Sequence, residues 1–189
     1  MDNARIHAER RHIAHTLQQS LLPPALPVVE GIGFAAEYVP TGDAVDVGGD
    51  FYDVLPLPNG RWLVVIGDVS GKGVQAAAIT GVVRDVIRLS VADGKPLPEI
   101  LSRINETLID RGGGRYCTLA MAAVGRGDKG RLDVSLYLAG HDQPVLVRGD
   151  GSGSRFVGTS GTALGLLETI ASPALELSLT AGDALVFYT

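Results

Sequence analysis

The sequence has one cysteine, few aromatic residues and no basic block. Because Cys117 is the only cysteine among 189 residues, an intramolecular disulfide and a zinc–thiolate site are both excluded. Its apolar surroundings favour a buried, inert thiol over a nucleophile. Aromatic residues make up 5% of the chain, so aliphatic side chains must supply the core. The net charge is −5 and no basic stripe is interleaved with aromatics, so we expect no nucleic-acid partner.

Long hydrophobic runs are also missing. No run approaches the roughly 18–20 residues that a membrane span needs, and the polar N-terminus does not resemble a signal peptide. We therefore expect a soluble, cytoplasmic protein that does not engage a membrane. The chain is long enough for one domain with a substantial core.

The N-terminal residues 4–22 predict a helix, because they lack glycine and proline. Its apolar stripe is thin for a helix that packs into a core. The helix would therefore pair with a partner chain, giving a homodimer, or continue from an upstream sensor domain. Pro23 and Pro24 end it. We divide the chain into a linker or regulatory helix, residues 1–24, and a domain, residues 25–189.

Within the domain, two consecutive helices separate groups of strands. Apolar residues at three- and four-residue spacing predict helices over 73–91 and from 96 to about 110. Strands are predicted at 32–39, 61–67, 117–124, 132–138, 144–148, 175–179 and 184–188. Residues 150–154 read as a short hairpin loop. This order is typical of an α+β fold with antiparallel sheets rather than a βαβ series.

Two acidic, glycine-rich motifs lie on either side of the strand predicted at 61–67. They are Val-Gly-Gly-Asp-Phe-Tyr-Asp at 47–53 and Gly-Asp-Val-Ser-Gly-Lys-Gly at 67–73. The second motif is not a Walker A loop, which needs four residues between its first glycine and the Gly-Lys pair, and then Ser or Thr. Here three residues separate Gly67 from Gly71, and Gly73 follows the lysine.

Each motif contributes one carboxylate that could bind a metal ion. Alone, Asp68 would read as a helix N-cap or turn residue, and Asp50 as a turn residue. Together, at a separation that fits a hairpin, they favour a pair of ligands. Oxygen ligands without a nearby His or Cys favour Mg²⁺ or Mn²⁺ over zinc. His141 would either hydrogen-bond a loop or face a substrate phosphate, and we expect the structural role.

Five short motifs occur in the order seen in one protein family. They are Leu-Gln-Gln-Ser-Leu-Leu-Pro at 17–23, the two acidic motifs, Ala-Gly-His at 139–141 and Gly-Thr-Ala-Leu-Gly at 161–165. The chain resembles the SpoIIE/RsbU-type branch of the metal-dependent (PPM) serine/threonine protein phosphatases. The resemblance implies a two-sheet antiparallel β-sandwich flanked by helices, with a metal centre in a cleft at one end.

The same resemblance implies the chemistry. Asp68 would bridge two Mn²⁺ or Mg²⁺ ions, Asp50 would bind one of them, and the backbone carbonyl of Val69 would complete that side. Two adjacent cations lower the pKa of a shared water and offset the charge that develops as it attacks phosphorus. The implied substrate is a phosphoserine or phosphothreonine on a STAS-domain anti-sigma-factor antagonist, in transcriptional stress regulation.

The resemblance also implies an Asp-Gly motif and a further aspartate after the strand at 185–189, both supplying metal ligands. We therefore expect the domain to be C-terminally incomplete in this sequence. Two alternatives stay open. One is a degenerate phosphatase fold that binds a partner without catalysis, and the other is a phosphohydrolase acting on small molecules with the same metal pair.

Overall fold

The structure, a computed structural model, describes residues 16, 20–39 and 48–189. Most of the predicted N-terminal helix, and Val47 of the first acidic motif, lie outside these residues, so the linker over 1–24 stays a prediction. Within the described residues the chain forms two α-helices and eight β-strands. The helices are α1 (Val74–Ala92) and α2 (Leu97–Arg111). The strands are β1 (Asp50–Pro56), β2 (Trp62–Val69), β3 (Cys117–Arg126), β4 (Leu132–Ala139), β5 (Val145–Val147), β6 (Ser154–Phe156), β7 (Leu175–Leu179) and β8 (Ala184–Val186).

The strands form two antiparallel sheets. The large sheet has the order β1-β2-β3-β4-β7, and the small sheet has the order β6-β5-β8. Within the described residues, two helices follow β2 and precede β3. The predicted α+β class with a two-sheet antiparallel sandwich is confirmed, as are both helices and the hairpin loop at 150–154.

Two apolar clusters hold the layers together. The first lies between the helices and the outer face of the large sheet, where Ile87 and Ile104 meet Leu63 and Val65. The second lies between the sheets and includes Ala122, Leu136 and, from the small sheet, Leu146. Strand β2 contributes side chains to both clusters. Its buried positions face the helices, and they alternate with half-buried positions that face the small sheet.

The prediction of a strand at 32–39 is wrong. Residues there form one isolated bridge, between Val29 and Ile32, and no ladder. Their apolar side chains pack without backbone pairing: Ile32 contacts the inter-sheet cluster, and the ring of Phe34 lies 6.4 Å from that of Trp62. The alternation of apolar residues in this segment therefore reflects side chains that pack on the sheet, and not a strand of the sheet.

Conversely, the glycine-rich break expected around Asp50 is the start of β1, which pairs with β2 along its whole length. Two aspartates within four residues disfavour a strand by local propensity. Asp53 is tolerated because α1 supplies its partners. Arg88 Nη2 lies 2.8 Å from Asp53 Oδ2, and Arg84 Nη2 lies 3.4 Å from the same atom. Strand β6 was also not predicted, since its three residues are all exposed.

Arg84 also connects this cluster to the N-terminal segment. Its Nη1 donates to the backbone carbonyl of Ser20 at 3.1 Å, and the adjacent Leu21 is buried. A Cβ added at Gly81 on α1 would lie 4.0 Å from the Leu21 side chain. The segment that enters the domain is therefore held against α1 by this hydrogen bond and by the burial of Leu21.

Among residues 16, 20–39 and 48–189, neither helix combines the length and the apolarity that crossing a bilayer requires.

We expect Asp53→Ala to lower the free energy of unfolding by about 3–5 kcal/mol, because it leaves the buried guanidinium of Arg84 without its counter-charge. Urea unfolding followed by circular dichroism measures the change. Glu30→Ala is the control, since it removes an ion pair to Arg126 in which both side chains are exposed, and should leave the midpoint unchanged. Equal midpoints for both variants would contradict a structural role for the Asp53 cluster.

Candidate metal centre at one end of the sandwich

Three polar residues stand side by side at the end of the large sheet. In the antiparallel register Asp50 lies opposite Asp68, and Asp68 lies opposite Thr118. Directly opposed residues share one face of a sheet, with Cβ atoms roughly 4.5–5.5 Å apart. That face looks toward the small sheet, because Val64 and Ile66, which are in step with Asp68, contact the inter-sheet cluster. The inner face is apolar along β2 and becomes polar at this last row.

The backbone at Gly49 brings the second acidic motif against the first. The N–H of Val69 donates to the carbonyl of Gly49 at 3.1 Å, and Thr80 Oγ1 of α1 donates to the same carbonyl at 3.2 Å. A Cβ at Gly49 would overlap the carbonyl oxygen of Val69 and lie 2.6 Å from Asp68 Oδ1. The Asp68 carboxylate and the Val69 carbonyl therefore converge at a place that a side chain would fill.

The charges of the two aspartates act on each other. Burial, and then the neighbouring charge of Asp50, raise the pKa of Asp68 to about 6. No residue in the described part of the chain donates a hydrogen bond to the Asp68 carboxylate. Burial and the Asp50 charge also raise the pKa of Tyr38. Negative charge thus accumulates at this edge.

His141 closes the row on the side of Thr118. Its Nδ1 lies 2.9 Å from Thr118 Oγ1, and its Nε2 lies 3.0 Å from the backbone carbonyl oxygen of Tyr188. The side chain is buried, and burial lowers the pKa of His141. The imidazole therefore joins the large sheet to the chain beyond β8, in agreement with the expected structural role.

The loop after β2 is fixed by residues that the sequence did not single out. Arg115 Nη1 donates to the carbonyl of Ser70 at 2.8 Å, and its Nη2 donates to Gln75 Oε1 at 3.1 Å. Ser70 and Tyr116 also exchange two hydrogen bonds, of 2.8 and 3.0 Å. These contacts hold the loop between Val69 and α1 against the start of β3.

The donor set suits a hard divalent cation. The structure brings together all three predicted site residues, Asp50, Asp68 and Val69, as two carboxylates and one carbonyl. Across residues 20–39 and 48–189, no cluster of three or more His, Cys, Asp or Glu side chains has a metal-binding arrangement. Mg²⁺ does not require one, since it keeps several waters and takes one or two carboxylates. The residues present fit such an ion, and their role as ligands stays a prediction.

We expect Gly49→Ala to destabilise the protein by about 1–3 kcal/mol or more, because the new methyl group would displace Val69 from β1. Gly33→Ala is the matched control, since a Cβ at Gly33 meets no atom within 4 Å. Urea unfolding of both variants tests the contact. A Gly49→Ala protein as stable as the Gly33→Ala protein would show that the two motifs do not meet as described.

Comparisons with known proteins agree with this architecture. Among curated proteins, the chain is 28% identical to the protein IcfG of Synechocystis, over 92% of this chain and 31% of IcfG. It is 23% identical to the phosphoserine phosphatase RsbP of Bacillus subtilis, over 76% of this chain and 36% of RsbP. The chain thus spans about a third of the length of these curated relatives.

Two solved structures share the fold. One contains the RsbU and RsbW domains of Rv1364c from Mycobacterium tuberculosis, with 31% identity and a TM-score of 0.65 over 75% of this chain and 38% of that one. The other contains the PP2C phosphatase domain of SpoIIE from Bacillus subtilis, with 21% identity and a TM-score of 0.61 over 74% of this chain and 40% of that one.

The family model described as Stage II sporulation protein E (SpoIIE) matches residues 58–189. It begins after Asp50 and includes Asp68, Val69, Thr118 and His141. Because the match extends over more than half of the chain, this protein belongs to the SpoIIE family, within the SpoIIE/RsbU-type branch of the PPM phosphatases.

Proposed function

We propose that this domain is a metal-dependent serine/threonine protein phosphatase. The observation that carries the proposal is the placement of Asp50 and Asp68 as register partners on the inner face of the sandwich, in a member of this family. Two like charges at that spacing raise each other's energy, and the half-buried Asp68 has no hydrogen-bond donor among the described residues. A cation held by these carboxylates would offset the repulsion.

Asp68 and Asp50 would hold two Mn²⁺ or Mg²⁺ ions, with the Val69 carbonyl as a further oxygen ligand. When bound, such a pair supplies an activated water and offsets the charge of the phosphoryl group. The chain's own contribution is to fix the oxygen ligands. Gly49 admits the Val69 carbonyl, and Arg115 holds the following loop through Ser70.

A side-chain nucleophile is not part of this proposal. Cys117 is fully buried, and burial raises the pKa of its thiol far above the usual value. A thiol of that kind is neither ionised nor accessible. Hydrolysis by water at the acidic edge therefore suits these residues better than a covalent phosphocysteine route.

The proposed substrate is a phosphoserine or phosphothreonine on a STAS-domain anti-sigma-factor antagonist. This step rests on the family resemblance and on RsbP, a relative named as a phosphoserine phosphatase. The N-terminal residues 1–24 would link the domain to an upstream sensor or to a second copy. Burial of Leu21 and the hydrogen bond from Arg84 to Ser20 support a fixed junction between that segment and the domain.

In the full-length protein we expect Asp68→Asn to lower the rate of phosphate release from a phosphorylated STAS-domain protein by more than about 100-fold, because the amide cannot hold a divalent cation as the carboxylate does. Asp110→Asn, at an exposed position on α2, is the matched control and should keep the wild-type rate. Excess EDTA should abolish release, and added Mn²⁺ should restore it.

Activity that persists in EDTA, or in the Asp68→Asn protein, would rule out the metal-dependent phosphatase. Tight binding of the phosphoprotein without turnover, in the presence of Mn²⁺, would favour the degenerate binding module instead. A preference for sugar phosphates over the phosphoprotein would favour a small-molecule phosphohydrolase.

A further inference from the structure

Thr118 occupies the third place in the polar row, beside Asp68, and the function proposed above gives it no role. It is the polar member of a strand whose neighbouring inward positions are Ala120 and Ala122. A hydroxyl has one proton to donate and two lone pairs that accept. What Thr118 offers to Asp68 therefore depends on where its single proton goes.

The hydrogen-bond partners of His141 determine the direction in which the Thr118 hydroxyl donates. The Tyr188 carbonyl oxygen has no proton, so His141 Nε2 must be the N–H donor in the 3.0 Å contact. The ring is buried, and burial lowers its pKa, which favours the neutral form with a single N–H. Nδ1 is then unprotonated and acts as an acceptor. Consequently the Thr118 hydroxyl donates a hydrogen bond to Nδ1 in the 2.9 Å contact.

Because the Thr118 hydroxyl donates its one hydrogen bond to His141, it can act only as an acceptor toward the rest of the row. Its register partner Asp68 is also an acceptor when ionised. Two acceptors cannot bond to each other, but both can bind the same proton donor or cation. A direct Thr118–Asp68 hydrogen bond, which would compete with a cation for the carboxylate, is prevented as well.

We propose that Thr118 and His141 are positioning residues that keep Asp68 available to a hydrated divalent cation. His141 holds the Thr118 hydroxyl as an acceptor, and that acceptor would take a hydrogen bond from a water of the cation's hydration shell. The proposal rests on the phosphatase function proposed above. It adds a polar relay, from the Tyr188 carbonyl through His141 to Thr118, that orients an oxygen beside the carboxylate.

The first test reads the tautomer in the metal-free protein. Long-range ¹H–¹⁵N correlation spectra of full-length protein labelled at histidine distinguish Nε2–H from Nδ1–H rings, and His141→Leu identifies the resonances of His141. At pH 7 we expect a neutral Nε2–H ring. An Nδ1–H ring, or a doubly protonated one, would overturn the proposal.

The second test measures Mn²⁺ binding by titration calorimetry. Thr118→Val keeps the shape of the side chain and removes the hydroxyl, and we expect it to weaken Mn²⁺ binding by about 10-fold. Thr118→Ser keeps the hydroxyl and should bind as the wild type does. His141→Leu should also weaken binding, because it frees the Thr118 proton to bond with Asp68.

A double-mutant cycle separates positioning from a general effect on packing. If His141 acts through Thr118, then the Thr118→Val/His141→Leu double variant binds Mn²⁺ as weakly as Thr118→Val and no more weakly. Additive losses, wild-type affinity in Thr118→Val, or lost affinity in Thr118→Ser would each overturn the proposal. Metal-free thermal unfolding of each variant checks that it is folded, and the tautomer test needs no variant at Thr118.

Asp68→Asn distinguishes failure of this inference from failure of the proposed function. A wild-type protein that binds no Mn²⁺ contradicts both. A wild-type protein that binds Mn²⁺, loses it on Asp68→Asn and is unaffected by Thr118→Val contradicts the role of Thr118 alone.

Discussion

The repulsion between the carboxylates of Asp50 and Asp68 is the constraint around which this end of the molecule is organised. Neighbouring strands fix the two side chains on one face, and the sandwich shields them in part from water. Burial, and then the charge of Asp50, raise the pKa of Asp68, so ionising both carboxylates at once is costly. The fold can maintain the pair because the apolar clusters on both faces of β2 stabilise the strands on which it lies.

The antiparallel hairpin explains how two motifs eighteen residues apart make one site. Strands β1 and β2 pair from Pro56 and Trp62 at the turn to Asp50 and Asp68 at the far end. A shift of one residue would move one carboxylate to the helix face. The close approach of Gly49 to Val69 and the hydrogen bond from Thr80 hold this register at the site itself, far from the turn.

Local sequence signals predicted much of this fold and part of the site. Both helices and most strands follow from periodicity, because each has one face in a core. The predictions failed where the contacts of the side chains do not indicate how the backbone is paired. Residues 32–39 alternate like a strand without a ladder, whereas β1 contains Asp53, whose counter-charges come from α1. Thr118 and Arg115 were missed because their importance lies in contacts distant in sequence, although a lone polar residue in an apolar strand could have drawn attention to Thr118.

Strand β1 itself separates a structural acid from a site acid. Asp50 and Asp53 are three residues apart and so lie on opposite faces. On the helix face, Asp53 is buried between two arginines, so its charge is compensated within the protein. On the inner face, Asp50 instead lies opposite another acid, Asp68. The same strand therefore carries one acid that two arginines neutralise on the helix face, and one that stands opposite a second acid on the inner face. Two acids placed as register partners, with the charge of one raising the pKa of the other, are the reason why we interpret the inner row as a place for cations.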